Sequence, residues 1–228
     1  MLPQASLRTA PVAHPYLNSA PRLPSTSGGF GSLELMGSQM TFGPNEEIFG
    51  ENEPTERVYK VTKGAVRTYK ILCDGRRQIG AFYFPGDIFG LEIGKEHQFS
   101  AEAIGKTTLL VIRSGAVVSL AERDSKAARE LWAFTARELH HVQEHMMLMV
   151  KSAQQRVACF LLEMSDRLAE GEAIELPMSR QDIADYLGLT IETVSRTLTQ
   201  LVSDRTIGLS SSRRIVLRNC SVLHELNS

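Results

Sequence analysis

The sequence predicts an α+β fold: an N-terminal antiparallel β-roll, one long helix, and a C-terminal winged helix-turn-helix. Three observations predict it. Short alternating apolar runs, each closed by turn residues, recur from Met40 to Ile112. A stretch free of Gly and Pro then runs from Ser125 to Lys151 with helical periodicity. Two short helical patterns joined at Gly188 follow, and after them a strand, a turn and a second strand. The expected division is a loose tail over 1–30, a roll over 31–120, a dimerisation helix over 121–151 and a winged domain over 152–228.

The 228 residues are enough for two modest cores. Hydrophobic residues make up 43% and charged residues 22%, as in ordinary globular chains. With 25 Lys and Arg against 26 Asp and Glu, the net charge is -1. Any affinity for polyanions must therefore come from a local patch. The first thirty residues hold Pro3, Pro11, Pro15, Pro21 and Pro24 and end in Ser and Gly, a composition with little to bury. The strands come next. Val58-Tyr59-Lys60-Val61 and Ala65 to Ile71 flank Lys63-Gly64. Cys73-Asp74-Gly75 supplies a hairpin turn. Gln78 to Phe84 stops at Pro85-Gly86-Asp87, and Phe99 to Ala103 and Thr108 to Ile112 complete the roll.

In the long helix, Trp132, Thr135, Leu139, Val142, Met146, Met149 and Ala153 follow at 3,4,3,4,3,4 spacing. Such a narrow seam pairs helices, and the first six residues are assigned to a homodimer contact. The competing reading docks the stripe on the chain's own roll. A second helix over 153–169 carries Val157, Phe160, Leu161, Met164 and Leu168 and ends at Gly171. Ala173 to Leu176 is a short strand stopped by Pro177.

The stretch from Met178 to Leu198 carries the chemistry. Ser179 with Asp182 three residues on resembles a capping box. Ile183, Ala184 and Leu187 form an apolar face, Gly188 permits the turn, and Thr190 caps the second helix. Val194, Leu198 and Leu201 face inward, with small Ala184 at the crossing. Near the N-terminus of this second helix, Glu192, Ser195 and Arg196 share the opposite face. Glu accepts from cytosine N4, Arg donates twice to guanine O6 and N7, and Ser reaches base or phosphate. An exposed Glu–Arg pair four residues apart is also an ordinary helix-surface pair; the surrounding motif favours the groove. Ser179, Arg180, Thr190 and Thr193, with Arg213 and Arg214 at the tip of the wing, suit DNA backbone contacts. From Met178 to Arg218, six basic residues stand against four acids, a local +2.

Other chemistries find little support. Cys73, Cys159 and Cys220 form no Cys-x-x-Cys pair and fit a reducing cytoplasm, with Cys159 expected in the core and Cys73 and Cys220 open to oxidation. His141 and His145 have metal spacing but no obvious third ligand, so no metal or other cofactor is expected. No nucleophile–base pair or phosphate loop marks an enzyme. The longest apolar run, Met146 to Val150, is far short of the roughly 20 residues of a membrane span. The N-terminus lacks a basic stretch followed by an apolar core, so no secretory signal is expected.

Taken in this order, roll, helix and winged motif resemble the Crp/Fnr family of bacterial transcription regulators over about residues 40–220. The marks are Gly50-Glu51, the run Val58 to Val66, Pro85-Gly86-Asp87-Ile88-Phe89-Gly90, and Glu192-Thr193-Val194-Ser195-Arg196. The resemblance implies a roll of the cyclic-nucleotide-binding jelly-roll type. It also implies a homodimer that reads a TTGA…TCAA-type inverted repeat and recruits RNA polymerase. Where cyclic-nucleotide-binding members carry an Arg-Ser or Arg-Thr pair, this chain runs Gly90-Leu91-Glu92-Ile93 to Gln98-Phe99-Ser100-Ala101-Glu102, without that Arg. A cyclic phosphate would lack its bidentate partner. Ile191 stands where Crp has an Arg, which implies Fnr-type base reading by Ile191, Glu192, Ser195 and Arg196. Residues 1–72 hold no Cys for an iron–sulfur sensor. The combination resembles the FixK-like branch, associated with microaerobic and nitrogen-fixation genes. A regulator of the same family gated by a small molecule in the roll is the alternative.

Overall fold

The computed structural model describes residues 36–92, 94–168 and 173–227. The expected tail over 1–30 and the helix stop at Gly171 lie outside the described residues. Eight strands among the described residues form the roll: β1 Ser38–Phe42, β2 Glu47–Phe49, β3 Arg57–Lys63, β4 Val66–Ile71, β5 Arg77–Tyr83, β6 Ile88–Phe89, β7 Ser100–Ala103 and β8 Thr107–Arg113. They make two four-stranded antiparallel sheets, ordered β1-β8-β3-β6 and β2-β7-β4-β5. Two glycines set the turns. Gly75 (φ +83°) closes the β4–β5 hairpin, where Leu72 N–H donates to Arg76 O at 2.8 Å. Gly64 (φ +89°) precedes β4, and a Cβ there would lie 2.6 Å from Thr107 Oγ1.

Phe42, Phe49, Tyr59, Val61, Phe89 and Leu109 fill the roll interior. The outer face of the β1-β8-β3-β6 sheet is covered too. Val58, Ile88, Leu110 and Ile112 pack there against Val117 and Phe134. Val117 belongs to α1 Ser114–Arg123, a helix absent from the sequence reading; Gly115 and the β-branched pair Val117-Val118 give it a strand-like local pattern. Phe134 belongs to α2 Ser125–Leu148, the predicted long helix, whose start is capped by Asp124 accepting from Lys126 N–H at 2.8 Å.

The two faces of α2 differ, and the face docked on the roll is not the predicted stripe. Phe134 docks on the roll, while Trp132, Leu139, Val142 and Met146 stand outward at 78, 58, 64 and 62% exposure. Thr135 is also exposed, its hydroxyl donating to Leu131 O at 2.9 Å. The seam does not continue through Met149 and Ala153. The helix ends at Leu148, because Ser152 starts a new one: Gln155 N–H donates to Ser152 Oγ at 3.3 Å and Ser152 N–H to Gln155 Oε1 at 3.0 Å. Met149 is the C-cap and turns into the C-terminal core.

That core is built from α3 Ala153–Leu168, β9 Ala173–Glu175, α4 Arg180–Leu187, α5 Ile191–Ser203, β10 Ile207–Leu209, β11 Arg214–Leu217 and α6 Cys220–Asn227. The two wing strands gain β9 as a third, in the order β10-β11-β9. The second unforeseen helix, α6, buries Leu223 against α3. Cys159 is half-buried rather than core: its S–H donates to Asn227 Oδ1 at 2.8 Å, and burial pushes its thiol up. Cys73 and Cys220 are exposed. The same core takes in Ala65, Ile79, Phe82 and Phe84 from the roll, so roll and winged motif share one apolar joint.

Candidate nucleic-acid interface

The helix-turn-helix is held at each of the places its sequence marks. Ser179 Oγ accepts from Asp182 N–H at 3.1 Å, and Asp182 Oδ2 accepts from Ser179 N–H at 3.0 Å, closing the capping box on α4. Gly188 takes the left-handed conformation, φ +62°, and with Leu189 donates back to Ala184 O. Thr190 Oγ1 accepts from Thr193 N–H at 3.2 Å to start α5. Val194, Leu198 and Leu201 are buried on the inner face of α5, with Ala184, also buried, in the core beneath it.

The opposite side of α5 is open. Ile191, Glu192 and Arg196 are exposed, and Ser195 is half-buried between them. Glu192 has its carboxyl held below the usual range, first by its own backbone N–H, then by the Thr190 hydroxyl and, more weakly, by Arg196. It is a charged acceptor at neutral pH, poised in the first turn of its helix. Ser195 Oγ accepts from Arg180 Nη1 at 3.4 Å, a link between the two helices that the sequence did not reveal. The hydroxyls of Thr190 and Thr193 lie 3.1 Å apart. At the wing, Ser211 Oγ accepts from Arg213 N–H at 3.2 Å and Arg214 N–H at 3.0 Å, shaping a tip on which both arginines are exposed.

The acids of α4 face the other way. Asp182 and Asp185 pair with Arg67 and Arg77 of the roll. Burial alone would raise Asp182, but Ser179, Arg67 and Arg77 hold its carboxyl below the usual range. With those two acids turned to the roll, where they and Glu102 share Arg67 and Arg77, the six basic groups of the winged motif stand against Glu192 and Asp204, a balance of +4 rather than +2. The surface is thus suited to a polyanion despite the chain's net charge of -1.

Beside α5 lies a cleft of about 610 Å³ that sequence reasoning missed. Leu72, Arg76 and Gln78 of the β4–β5 hairpin form one wall, and Gln181, Thr190 and Glu192 the other. Only the fold brings the hairpin to the motif, more than 100 residues away in the chain. Among the described residues no three His, Cys, Asp or Glu side chains converge on a metal position, and no helix is long and apolar enough to cross a membrane. His141 Nδ1 lies 4.0 Å from Glu144 Oε2, and the His145 ring packs against Tyr186 with centroids 4.3 Å apart.

Residues 39–124 match the cyclic nucleotide-binding domain family, and residues 155–226 the Crp-like helix-turn-helix domain. The chain is 47% identical to the nitrogen fixation regulation protein FixK of Azorhizobium caulinodans, over 86% of this chain and 82% of that protein. It is 41% identical to FixK of Rhizobium meliloti, over 82% and 85% of the two chains. Among solved structures, FixK2 from Bradyrhizobium japonicum superposes with a TM-score of 0.82 at 52% identity, covering 84% of this chain and 98% of that one.

Proposed function

The chain belongs to the Crp/Fnr family of DNA-binding transcription regulators, and from there we propose that it works as a homodimer reading an inverted repeat through α5. As a member of a regulator family it is not an enzyme. The observation that carries the reading is the capped, rigid α4–α5 pair with Ile191, Glu192, Ser195 and Arg196 on its open side. Arg196 takes a guanine, Glu192 a cytosine N4, Ser195 a base or phosphate, and Ile191 packs against base edges in a TTGA…TCAA-type site. Ser179, Arg180, Thr190, Thr193, Arg213 and Arg214 hold the DNA backbone. Of these, Ser179 and Thr190 serve through the helix starts they cap.

Dimerisation through Trp132, Thr135, Leu139, Val142 and Met146 accounts for so much apolar surface on one side of α2. The regulated genes belong to nitrogen fixation or microaerobic metabolism; the FixK relatives are named for nitrogen fixation regulation. The protein works in the cytoplasm and recruits RNA polymerase.

The roll works without an effector. Its interior is occupied by stacked rings, with Tyr59 5.1 Å and Tyr83 5.0 Å from Phe89 and His97 3.6 Å from Phe49. The buried cation of its wall, Arg67, is already engaged by Glu102 at 2.6 Å and Asp182 at 3.2 Å. A ligand-gated regulator is the competing reading, and it predicts tight calorimetric binding of a cyclic nucleotide.

Selection from a random DNA pool tests the main reading directly. It should return two half-sites in inverted repeat, and Arg196→Ala should lose about 1–3 kcal/mol at a single base position. Arg213→Ala should instead weaken all sequences alike and lower the salt slope by about one. If Arg196→Ala binds with unchanged affinity and base preference, α5 is not the reading helix.

A further inference from the structure

The joint between roll and winged motif has an apolar layer and a polar layer, and they do different work. Ile79, Phe82 and Phe84 of the roll pack against Phe160 and Tyr186, and the attraction of such apolar contacts is non-directional. The polar layer is directional. Arg77 donates from Nε to Asp185 Oδ2 at 2.8 Å and from Nη2 to Asp182 Oδ1 at 2.6 Å. Arg67, only 6% exposed, donates from Nη1 to the same Asp182 oxygen at 3.2 Å and from Nε and Nη2 to Glu102. Gln78 Nε2 donates to the Tyr186 carbonyl at 3.3 Å.

All three α4 acceptors lie on one side of one helix, and Asp182 is also the capping-box residue that starts it. Asp182 and Asp185 are three residues apart, so one planar guanidinium spanning both fixes the rotation of α4 about its axis. Through the tight Gly188 turn, that rotation is passed to α5. Buried ion pairs of this kind add little net stability but are sensitive to geometry, because a carboxylate left facing no partner is costly.

We propose that Arg77, backed by Arg67, is a positioning residue for DNA reading: it clamps α4 so that α5 is presented in its reading orientation without a bound ligand. The proposal rests on the DNA-reading role of α5 given above. Arg77 touches no DNA in this scheme and acts only through Asp182 and Asp185.

The test uses the full-length protein and its selected DNA site. Arg77→Ala should weaken operator binding about tenfold, the effect of a competent fraction reduced to about a tenth. Base preference and salt slope should stay as in the wild type, since every groove and phosphate contact is retained. Arg77→Lys keeps the charge, loses the fork, and should fall between the two. The exchange Arg77→Asp with Asp185→Arg should recover most of the affinity that either single change loses.

Orientation is read independently by spin labels on Cys73, at the hairpin, and Cys220, at the start of α6, both exposed. Cys159→Ser silences the third thiol, and excess unlabelled protein suppresses pairs between protomers. The Cys73–Cys220 distance distribution should broaden in Arg77→Ala and narrow again in the exchanged pair. Wild-type affinity and an unchanged distribution in Arg77→Ala, or a lysine variant indistinguishable from wild type, overturns the clamp. So does an affinity loss with no change in distribution. If the wild-type chain selects no DNA sequence, the reading role of α5 fails instead, while the distances still decide whether Arg77 orients the motif.

Discussion

Replacing Glu138 by Gln should make the protein more stable at alkaline pH and leave it unchanged in mild acid. Glu138 sits on α2 beside the Pro85-Gly86-Asp87 turn and α3. Arg167, the nearby cation, is already shared by Asp87 at 2.6 Å and Glu163 at 3.1 Å. Glu138 is a third acid at a site whose positive charge is spent. Burial, then the charge of Asp87, pushes its carboxyl up from 4.5 to about 7, against the weaker pull of Arg167 and Arg137. The unfolded chain releases this proton near 4.5, whereas the folded chain holds it to about 7. Between those values the folded state binds more protons, so stability falls as pH rises and then levels off. The full shift corresponds to about 3.4 kcal/mol at about 1.36 kcal/mol per pH unit. Solvent screening of this half-buried group reduces the expected effect to about 1–2 kcal/mol. Urea midpoints of wild type and Glu138→Gln, at one protein concentration, should coincide at pH 4.5 and separate by that amount at pH 8. A stability difference that is the same at both pH values would refute the reasoning.

Two further changes probe the seam and the core. Val142→Glu puts a charge in the middle of the outward stripe of α2, and sedimentation should show dissociation to single chains at concentrations where the wild type is dimeric; an unshifted sedimentation coefficient would remove the seam from the interface. Leu198→Ala empties a buried position under α5 and should cost about 2–5 kcal/mol in denaturant unfolding, with DNA affinity falling alongside.

The winged motif was legible because every signal it uses is local. Ser179 and Asp182, Gly188, and Thr190 act within three or four residues of themselves, and Val194, Leu198 and Leu201 declare the buried face by spacing alone. The roll was legible as a series of strands but not as a layered object. Leu109 to Ile112 are all buried, which erases alternation, because α1 and α2 cover the sheet face that would otherwise meet water. The break between α2 and α3 was legible, but the long helix ends at Leu148, a few residues before the expected Lys151, because the stripe keeps its spacing past that end. The start of α3 is set by the Ser152–Gln155 cap.

Least legible was where the acids point. Asp182 and Asp185 read in sequence as charges that dilute a DNA-binding surface. In the fold they answer Arg67 and Arg77, which are 115 and 108 residues away along the chain from Asp182 and Asp185 respectively. No local pattern reports such a pairing, since the hydrophobic period places these acids only on the solvent side of α4. The pairing changes the electrostatics twice. It removes two negative charges from the side that would meet phosphate, and it spends two roll cations that would otherwise invite an anion. A chain of net charge -1 can therefore carry a local +4 surface, because its compensating acids are turned inward to the joint. The same arrangement explains why one residue serves both capping and docking. Asp182 can start α4 and receive two arginines only if the helix begins against the roll, so the folding of the motif and its placement are settled by one carboxylate.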